Sequence, residues 1–115
     1  MEGKNKGSIV NHVGITNSDP TALAAKMIEL GLCKMGIDEL PDECNLEFAC
    51  GLVLQVHKGD DATGVKPAIE IADPVAFREL LESHGVECVQ RRPNNEYVLD
   101  FNVCGLPIHT VKAIE

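Results

Sequence analysis

The stretch Asp19-Pro20-Thr21-Ala22-Leu23 recurs as Asp73-Pro74-Val75-Ala76-Phe77, displaced by 54 positions (73 − 19 = 54). The same displacement relates Cys50-Gly51-Leu52 to Cys104-Gly105-Leu106 (104 − 50 = 54). Self-similarity at a fixed period indicates a repeated structural unit. Two copies are too few for a solenoid, so the pattern predicts a duplicated domain whose halves are related by a pseudo-two-fold axis.

Each half is predicted to run β-α-β-β-β. In both copies Asp is followed by Pro, the pair that suits the cap and first turn of a helix. Gly31 and Gly85 then supply the left-handed residue that ends each helix. Short apolar and β-branched runs predict strands at Ile9–Ile15, Cys33–Ile37, Asn45–Cys50, Leu52–His57, Ala68–Ile71, Val86–Gln90, Glu96–Phe101 and Pro107–Val111. One such unit cannot cover its own sheet, so the two must pack or pair.

The 115 residues are predicted to form a single domain, 1–115, which at this length needs neither disulfides nor a structural metal to fold. Module one is assigned to 8–58, a polar linker to 59–65, and module two to 66–113. The five cysteines include no C-x-x-C pair and are odd in number, which is typical of reduced thiols in a cytoplasmic protein. The repeated position of Cys50 and Cys104 before glycine favours a packing role.

Ten basic residues against eighteen acidic ones give a formal charge of −8. Such a surface repels phosphate backbones, so nucleic acid is not an expected partner, whereas cationic ligands are modestly favoured. No apolar run approaches the roughly 20 residues of a membrane span. Residues 1–7 have no apolar core after their lysines, so no secretory signal is expected there.

Several short motifs together resemble the vicinal oxygen chelate superfamily, which includes glyoxalase I, extradiol dioxygenases, fosfomycin-resistance enzymes and bleomycin-resistance proteins. They are His12-Val13-Gly14-Ile15 before the Asp19 helix, Ala72-Asp73-Pro74, His84-Gly85-Val86, and Gly105-Leu106-Pro107-Ile108-His109. The resemblance spans Ile9 to Lys112. It implies an α+β fold in which two β-α-β-β-β modules form a cupped, partly closed mixed sheet with helices outside.

The resemblance also implies a metal site. Its ligand positions match His12, Gln55 (in Val53-Leu54-Gln55) and His109, and Gln55 and His109 are themselves related by the repeat (109 − 55 = 54). The repeat partner of His12 is Lys66, or Pro67 if the strand register slips by one, and neither is a ligand. Two imidazoles and an amide suit Zn, Ni, Co, Mn or Fe(II), which would polarise a substrate oxygen. His57 shares a strand face with Gln55 and is assigned to the same pocket. No residue is assigned a catalytic role.

Alternative interpretations stay open. His12 and His109 could be hydrogen-bonded core histidines, and Gln55 a polar residue lining a cavity. The expected function is a small-molecule-binding protein, either a metal-dependent lyase, isomerase or dioxygenase, or a metal-free protein that sequesters its ligand as the bleomycin-resistance group does. Open sheet edges predict a two-fold homodimer.

Overall fold

The computed structural model describes residues 12–35, 43–62 and 64–113. Module one comprises β1 (Val13–Asn17), α1 (Pro20–Glu29), β2 (Lys34–Met35), β3 (Glu43–Glu47) and β4 (Val53–Lys58). Module two comprises β5 (Ala68–Ile71), α2 (Pro74–Ser83), β6 (Cys88–Arg92), β7 (Asn95–Val103) and β8 (Leu106–Lys112). The two β-α-β-β-β modules are thereby confirmed. The parts of the predicted strands that fall on 9–11, 36 and 37 lie outside the described residues.

The two helices begin in the same way. Asp19 Oδ1 accepts a hydrogen bond from Ala22 N at 3.1 Å, and Asp73 Oδ1 accepts one from Ala76 N at 3.0 Å. Each cap satisfies an amide that the first turn leaves without an intrahelical partner. The following prolines open α1 and α2, which occupy equivalent positions (74 − 20 = 54). The sequence repeat is therefore a structural repeat at its most distinctive motif.

The strands form two separate four-stranded mixed sheets, ordered β1-β4-β3-β2 and β5-β8-β7-β6. In module one β4 is parallel to β1 and antiparallel to β3. In module two β8 is parallel to β5 and antiparallel to β7. Within the described residues β1 and β5 each pair with one strand only, so each leaves one long edge of its sheet open.

The repeat is not uniform along the chain. Gly14 pairs with Gln55 and Ala68 with His109, which keeps the displacement of 54 in the parallel pairs (68 − 14 = 54). Across the hairpins, however, Gln55 faces Asn45 whereas His109 faces Asp100, a displacement of 55 (100 − 45 = 55). The single displacement of 54 that relates the sequence motifs therefore does not hold between β3 and β7, which are displaced by 55.

A shorter turn in module two accompanies this shift. Phe48 N donates to Leu52 O at 2.9 Å, which leaves three residues in the turn between β3 and β4. In module two Val103 pairs with Leu106, and only Cys104 and Gly105 lie between them. The second turn is thus one residue shorter than the first.

Both modules contribute to one hydrophobic core. It collects the inward residues of both sheets and both helices: Ile15, Leu23, Ala24, Met27, Leu30, Cys44, Leu46, Leu54, Val56, Leu81, Phe101, Val103, Leu106 and Ile108. Helix α1 contacts β7 of the other module as well as its own sheet. The inward faces of the two sheets therefore share a core, and their opposite faces point away from it.

A buried amide joins the modules at the end of β1. Asn17, 1% exposed, donates through Nδ2 to Cys104 O at 2.9 Å in the turn of module two. Its Oδ1 accepts from Asp19 N at 2.9 Å, next to the cap of α1. One side chain thus connects the start of α1 to the β7–β8 turn.

The cysteines depart from the predicted packing role. Cys50 and Cys104 are exposed, because the glycines after them place both in surface turns. Cys33 is half-buried, and burial, together with the nearby Cys44, raises the pKa of its thiol to about 11. None of the five takes part in a disulfide.

Candidate functional site

Each sheet has a polar side directed away from the shared core. We call the side formed by Gly14, Thr16, Glu43, Asn45, Gln55 and His57 face one. We call the side formed by Ala68, Glu70, Asp100, Asn102 and His109 face two. Both follow from strand alternation, since the residues between them, such as Leu54 and Ile108, are buried in the core.

A chain of three polar side chains crosses face one. His57 Nδ1 lies 2.7 Å from Glu43 Oε2, and His57 Nε2 lies 2.8 Å from Gln55 Oε1. The pairing of β3 with β4 places Glu43 directly opposite His57, which brings the carboxylate to the ring. The His57 side chain is 45% exposed and Glu43 19%, so the pair is partly shielded from water. Glu43, His57 and Gln55 are therefore joined in one chain of polar contacts on face one.

His12 lies at the open end of face one. It immediately precedes β1, and the alternation of that strand places it on the side of Gly14 and Thr16. It is exposed, so the alternative of a core histidine is wrong for this residue. Gly14, which lies opposite Gln55, has open space where a side chain would stand. His12 and Gln55 therefore flank a gap on one face.

Face two is centred on His109. Its neighbours across the sheet are Ala68 on β5 and Asp100 on β7. The backbone amide of His109 donates to Pro67 O at 3.1 Å. Its Nδ1 is buried and has no hydrogen-bond partner in the described part of the chain. Buried polar atoms are nearly always satisfied, so this ring nitrogen has the capacity for one further polar contact.

Two cations surround the carboxylate beside His109. Asp100 Oδ1 lies 3.0 Å from Lys66 Nζ, and Asp100 Oδ2 accepts from Arg91 Nε at 2.7 Å. Burial on its own would raise the pKa of Asp100, but Lys66 and Arg91 together hold it below its usual value. The carboxylate stays ionised and the three groups carry one net positive charge.

An open groove of about 620 Å³ begins at this cluster. It runs from Lys66, Asp100 and Pro107 to His84, Gly85 and Val86 at the end of α2. A ligand on face two therefore has room beside the Lys66 ammonium.

The predicted ligands lie on two different sheets. Gln55 and His57 lie on face one, with His12 at its edge, whereas His109 lies on face two of the other sheet. Among residues 12–35, 43–62 and 64–113, no three His, Cys, Asp or Glu side chains converge as a metal centre. In the same ranges no helix is both long and apolar enough to cross a membrane.

Sequence reasoning missed the carboxylates. Glu43 was outside every predicted strand, and its contact with His57 depends on the register of the β3–β4 hairpin. Asp100 was hidden by the one-residue shift, since its partner at a displacement of 54 is the core residue Leu46. No motif in the sequence distinguishes Arg91 from an ordinary surface cation. The one available signal was Lys66, which the repeat identifies as the equivalent of His12 (66 − 12 = 54).

No protein-family model and no curated protein sequence matches the chain. Solved structures do match it over almost its whole length. The fosfomycin resistance protein FosX of Listeria monocytogenes, in complex with Mn(II) and sulfate, is 18% identical, with a TM-score of 0.75 over 93% of this chain and 91% of that one. A possible glyoxalase of Bacillus cereus is 12% identical, with a TM-score of 0.74 over 90% and 98%.

An oxidase, ChaP-H2, is 13% identical, with a TM-score of 0.69 over 92% of this chain and 94% of the other. At these identities the likeness concerns the fold, and function has to be argued from the residues. The repeated modules, their strand order and these neighbours lead to one conclusion: the chain has the fold of the vicinal oxygen chelate superfamily.

Proposed function

We propose that this protein binds a small molecule at a site formed between two copies of the chain, with face one of one copy opposite face two of the other. The observation that carries the proposal is the shared core. Both sheets contribute buried residues to it, and face one and face two are the sides of those sheets turned away from the core. Gln55 and His109 can then reach a common ligand only across an interface.

The open edges of β1 and β5 support a two-fold arrangement. An exposed strand edge is a liability that proteins cover, and a symmetric dimer covers both edges at once. In such a dimer β1 of one copy lies near β5 of the other, and face one and face two become the walls of one cleft. The symmetry produces two equivalent clefts per dimer.

The donor set fits a divalent metal in each cleft. His12, Gln55 and His109 would hold it, and the orphaned Nδ1 of His109 supports this assignment. These are neutral donors of the kind that bind Zn, Ni, Co, Mn or Fe(II). When bound, such an ion supplies Lewis-acid polarisation of a substrate oxygen, the chemistry of lyases, isomerases and dioxygenases. That FosX structures contain Mn(II) makes this ion the first to try.

A metal-free binding protein is the second candidate, and Lys66 favours it. Its ammonium stands at the repeat position of His12 and is held by Asp100, so the fourth ligand position carries a fixed cation. With Arg91 beside it, this corner of face two would attract an anionic part of a ligand, although the whole chain is acidic. The two candidates share the cleft and differ in whether a metal occupies it.

Mixing two variants that each lack Mn(II) binding tests whether the site lies within one chain or between two chains. Gln55→Ala damages face one, and His109→Ala damages face two. If the site lies between chains, a heterodimer of the two variants contains one cleft with both faces intact and one with both damaged. Refolding the mixture should therefore restore Mn(II) binding to up to one site per heterodimer. A protein that is monomeric by light scattering at micromolar concentration, or a mixture that binds nothing where the wild type binds, would contradict the shared site.

Calorimetric titration distinguishes the two candidates. Wild-type protein should bind Mn(II) or another of the named ions stoichiometrically, and His12→Ala and His109→Ala should abolish or strongly weaken binding. His84→Ala, at the end of α2, is the matched control: it changes a histidine that lines the groove but lies on neither sheet face, so ion binding should be unchanged. No heat with any ion would remove the metal site and leave the binding-protein candidate. We place the protein in the cytoplasm, where five thiols outside disulfides stay reduced.

A further inference from the structure

We propose that the small molecule bound at face two is a monoanion, a carboxylate carried on a short apolar body. Lys66 and Arg91 bind its charged end, and Val89 and Pro107 contact its apolar part. The inference rests on the proposed function, because face two is one wall of the cleft described above, and it names the class of ligand that this wall selects. All four residues belong to one chain, so the binding can be measured without a metal.

The first step concerns an excess of positive charge around Asp100. Its Oδ1 lies 3.0 Å from Lys66 Nζ, and its Oδ2 accepts a hydrogen bond from Arg91 Nε at 2.7 Å. In the described part of the chain no other carboxylate pairs with Lys66 or Arg91. Two cations thus share one anion, which leaves a charge of +1 on a chain whose formal charge is −8. One carboxylate neutralises this corner, whereas a dianion would make it negative.

The second step concerns the hydrogen bonds that these cations can still donate. An ammonium group has three N–H donors and a guanidinium group has five, and Asp100 accepts only one from each. Donors of both residues therefore remain for a ligand. The side chain of Lys66 is 33% exposed and that of Arg91 50%, so the ammonium is the better shielded of the two. Because shielding strengthens charge-assisted hydrogen bonds, Lys66 is the main anchor.

The third step concerns the surface beside the two cations. Val89 pairs with Asp100 across β6 and β7, so both side chains lie on face two. Its exposed fraction, 66%, is the highest of any large apolar side chain in the described residues. Pro107 lies on the same face opposite Asn102, and it lines the groove together with Lys66 and Val89. A ligand whose anion meets Lys66 can therefore cover apolar surface with the rest of its structure, which favours binding.

The other end of the groove disfavours a second anionic group. Glu87 lines the groove next to Val86 and adds a negative charge there. Lys26 lines it as well, but its ammonium already pairs with Glu29 at 3.1 Å. An extended dicarboxylate would therefore bring its second charge towards a carboxylate. The groove accordingly suits a ligand with one charged end.

NMR titration of ¹⁵N-labelled protein with benzoate, at pH 8 in low salt and without metal, tests the proposal. Benzoate should shift the amide signals of Val89 and Asp100. Benzamide, which has the same ring without the charge, should bind about 10-fold more weakly or worse, and inorganic phosphate should also bind more weakly than benzoate. No benzoate binding, or equal binding of benzoate and benzamide, would overturn the role of the cations. Tighter binding of phosphate would overturn the single charge.

Substitutions at Lys66 test whether this cation is the anchor. Lys66→Met removes the charge and should weaken benzoate binding by about 10-fold, whereas Lys66→Arg keeps the charge and should retain most of the binding. Arg92→Met is the matched control, because Arg92 also lies on β6 but has no ion pair in the described residues. It should bind benzoate as the wild type does. If Lys66→Met binds benzoate as tightly as the wild type, or Lys66→Arg as weakly as Lys66→Met, the proposal is wrong.

A parallel titration with Mn(II) separates this inference from the proposed function. Benzoate binding by a protein that binds no Mn(II) would support the carboxylate site and leave the metal-free candidate. A protein that binds Mn(II) but not benzoate would keep the metal site and overturn the inference drawn for face two. The two failures are therefore distinguishable.

Discussion

The two modules have the same backbone plan but carry different chemistry on their exposed sheet faces. On face one the histidine His57 has both ring nitrogens engaged, by Glu43 and by Gln55. On face two His109 has a buried nitrogen with no partner in the described residues, and the carboxylate beside it is paired with two cations. Duplication has preserved strand order and register at the parallel pairs while the polar residues have diverged. In the proposed dimer each cleft would be lined by one face of each kind.

The helices differ as well. Leu23, Ala24, Met27 and Leu30 place α1 in the shared core, whereas α2 is anchored chiefly by Pro74 and Leu81. Module one's helix therefore supports both sheets, and module two's helix supports mainly its own. Substitutions at equivalent positions should reveal this asymmetry.

The largest effect is expected at Leu23, which is 0% exposed. Leu23→Ala should lower the free energy of unfolding by about 2–5 kcal/mol, because it leaves a cavity in the shared core. Its repeat partner Phe77 (77 − 23 = 54) is larger but only half-buried. Phe77→Ala should cost less in a urea titration, and an equal or greater cost would show that α2 supports the core as much as α1 does.

Thr110 should give the next largest effect. It is fully buried, its Oγ1 accepts from Leu99 N at 3.0 Å and donates to Tyr97 O, and its repeat partner is the core residue Val56. Thr110→Val keeps the shape but leaves a buried amide without a partner, which costs about 1–3 kcal/mol. Thr110→Ser keeps the hydroxyl and should lose less. If Thr110→Val does not lower the free energy of unfolding, the hydroxyl of Thr110 on β8 is no more necessary than the valine at the equivalent position 56 on β4.

The two turn glycines allow a matched comparison. Gly51 and Gly105 have φ angles of +92° and +90°. Alanine at position 51 should cost about 1–2 kcal/mol for the left-handed backbone alone. At position 105 an added Cβ would also collide with the carboxylate of Asp61, which accepts from Ser18 N at 2.8 Å, so Gly105→Ala should cost more. In thermal unfolding, the additional destabilisation by Gly105→Ala relative to Gly51→Ala should disappear when Asp61→Ala is also present. If it persists, the collision with Asp61 is not its cause.

The smallest effect is a pH dependence on face two. The pKa of Asp100 in the folded protein lies below its ordinary value of 3.8. A carboxyl with a depressed pKa stabilises the fold above the unfolded-state value and loses that contribution as the pH falls through the folded-state value. The stability difference between wild type and Asp100→Asn, measured from pH 7 down to pH 3, should therefore shrink below about pH 4.

When Lys66→Met is present, the loss of stability caused by Asp100→Asn at neutral pH should be smaller than in the wild type. Arg92→Met is the control, since the described residues include no ion pair to Arg92. If the stability difference between wild type and Asp100→Asn stays constant from pH 7 to pH 3, Asp100 acts through packing and not through its charge.

Sequence was sufficient for the features that depend on local chemistry. The Asp-Pro caps, the glycine stops and the order of helices and strands along the chain all follow from residue types at a fixed displacement. The equivalence of Gln55 and His109 is visible in the strand pairing. Long-range features were not accessible. The Glu43–His57 contact needs the hairpin register, and Asp100 beside His109 needs a shortened turn that shifts β7 by one residue. The outward direction of both faces depends on how the modules share their core, which no local pattern encodes.

The Asn17 amide has a thermodynamic consequence. Because it donates to the turn of one module while holding the helix start of the other, neither half can open without stranding a buried amide or a carbonyl. The halves should therefore melt in a single transition, and a chain cut in the linker should not yield two stable fragments. The duplication visible in the sequence has become one cooperative unit of folding.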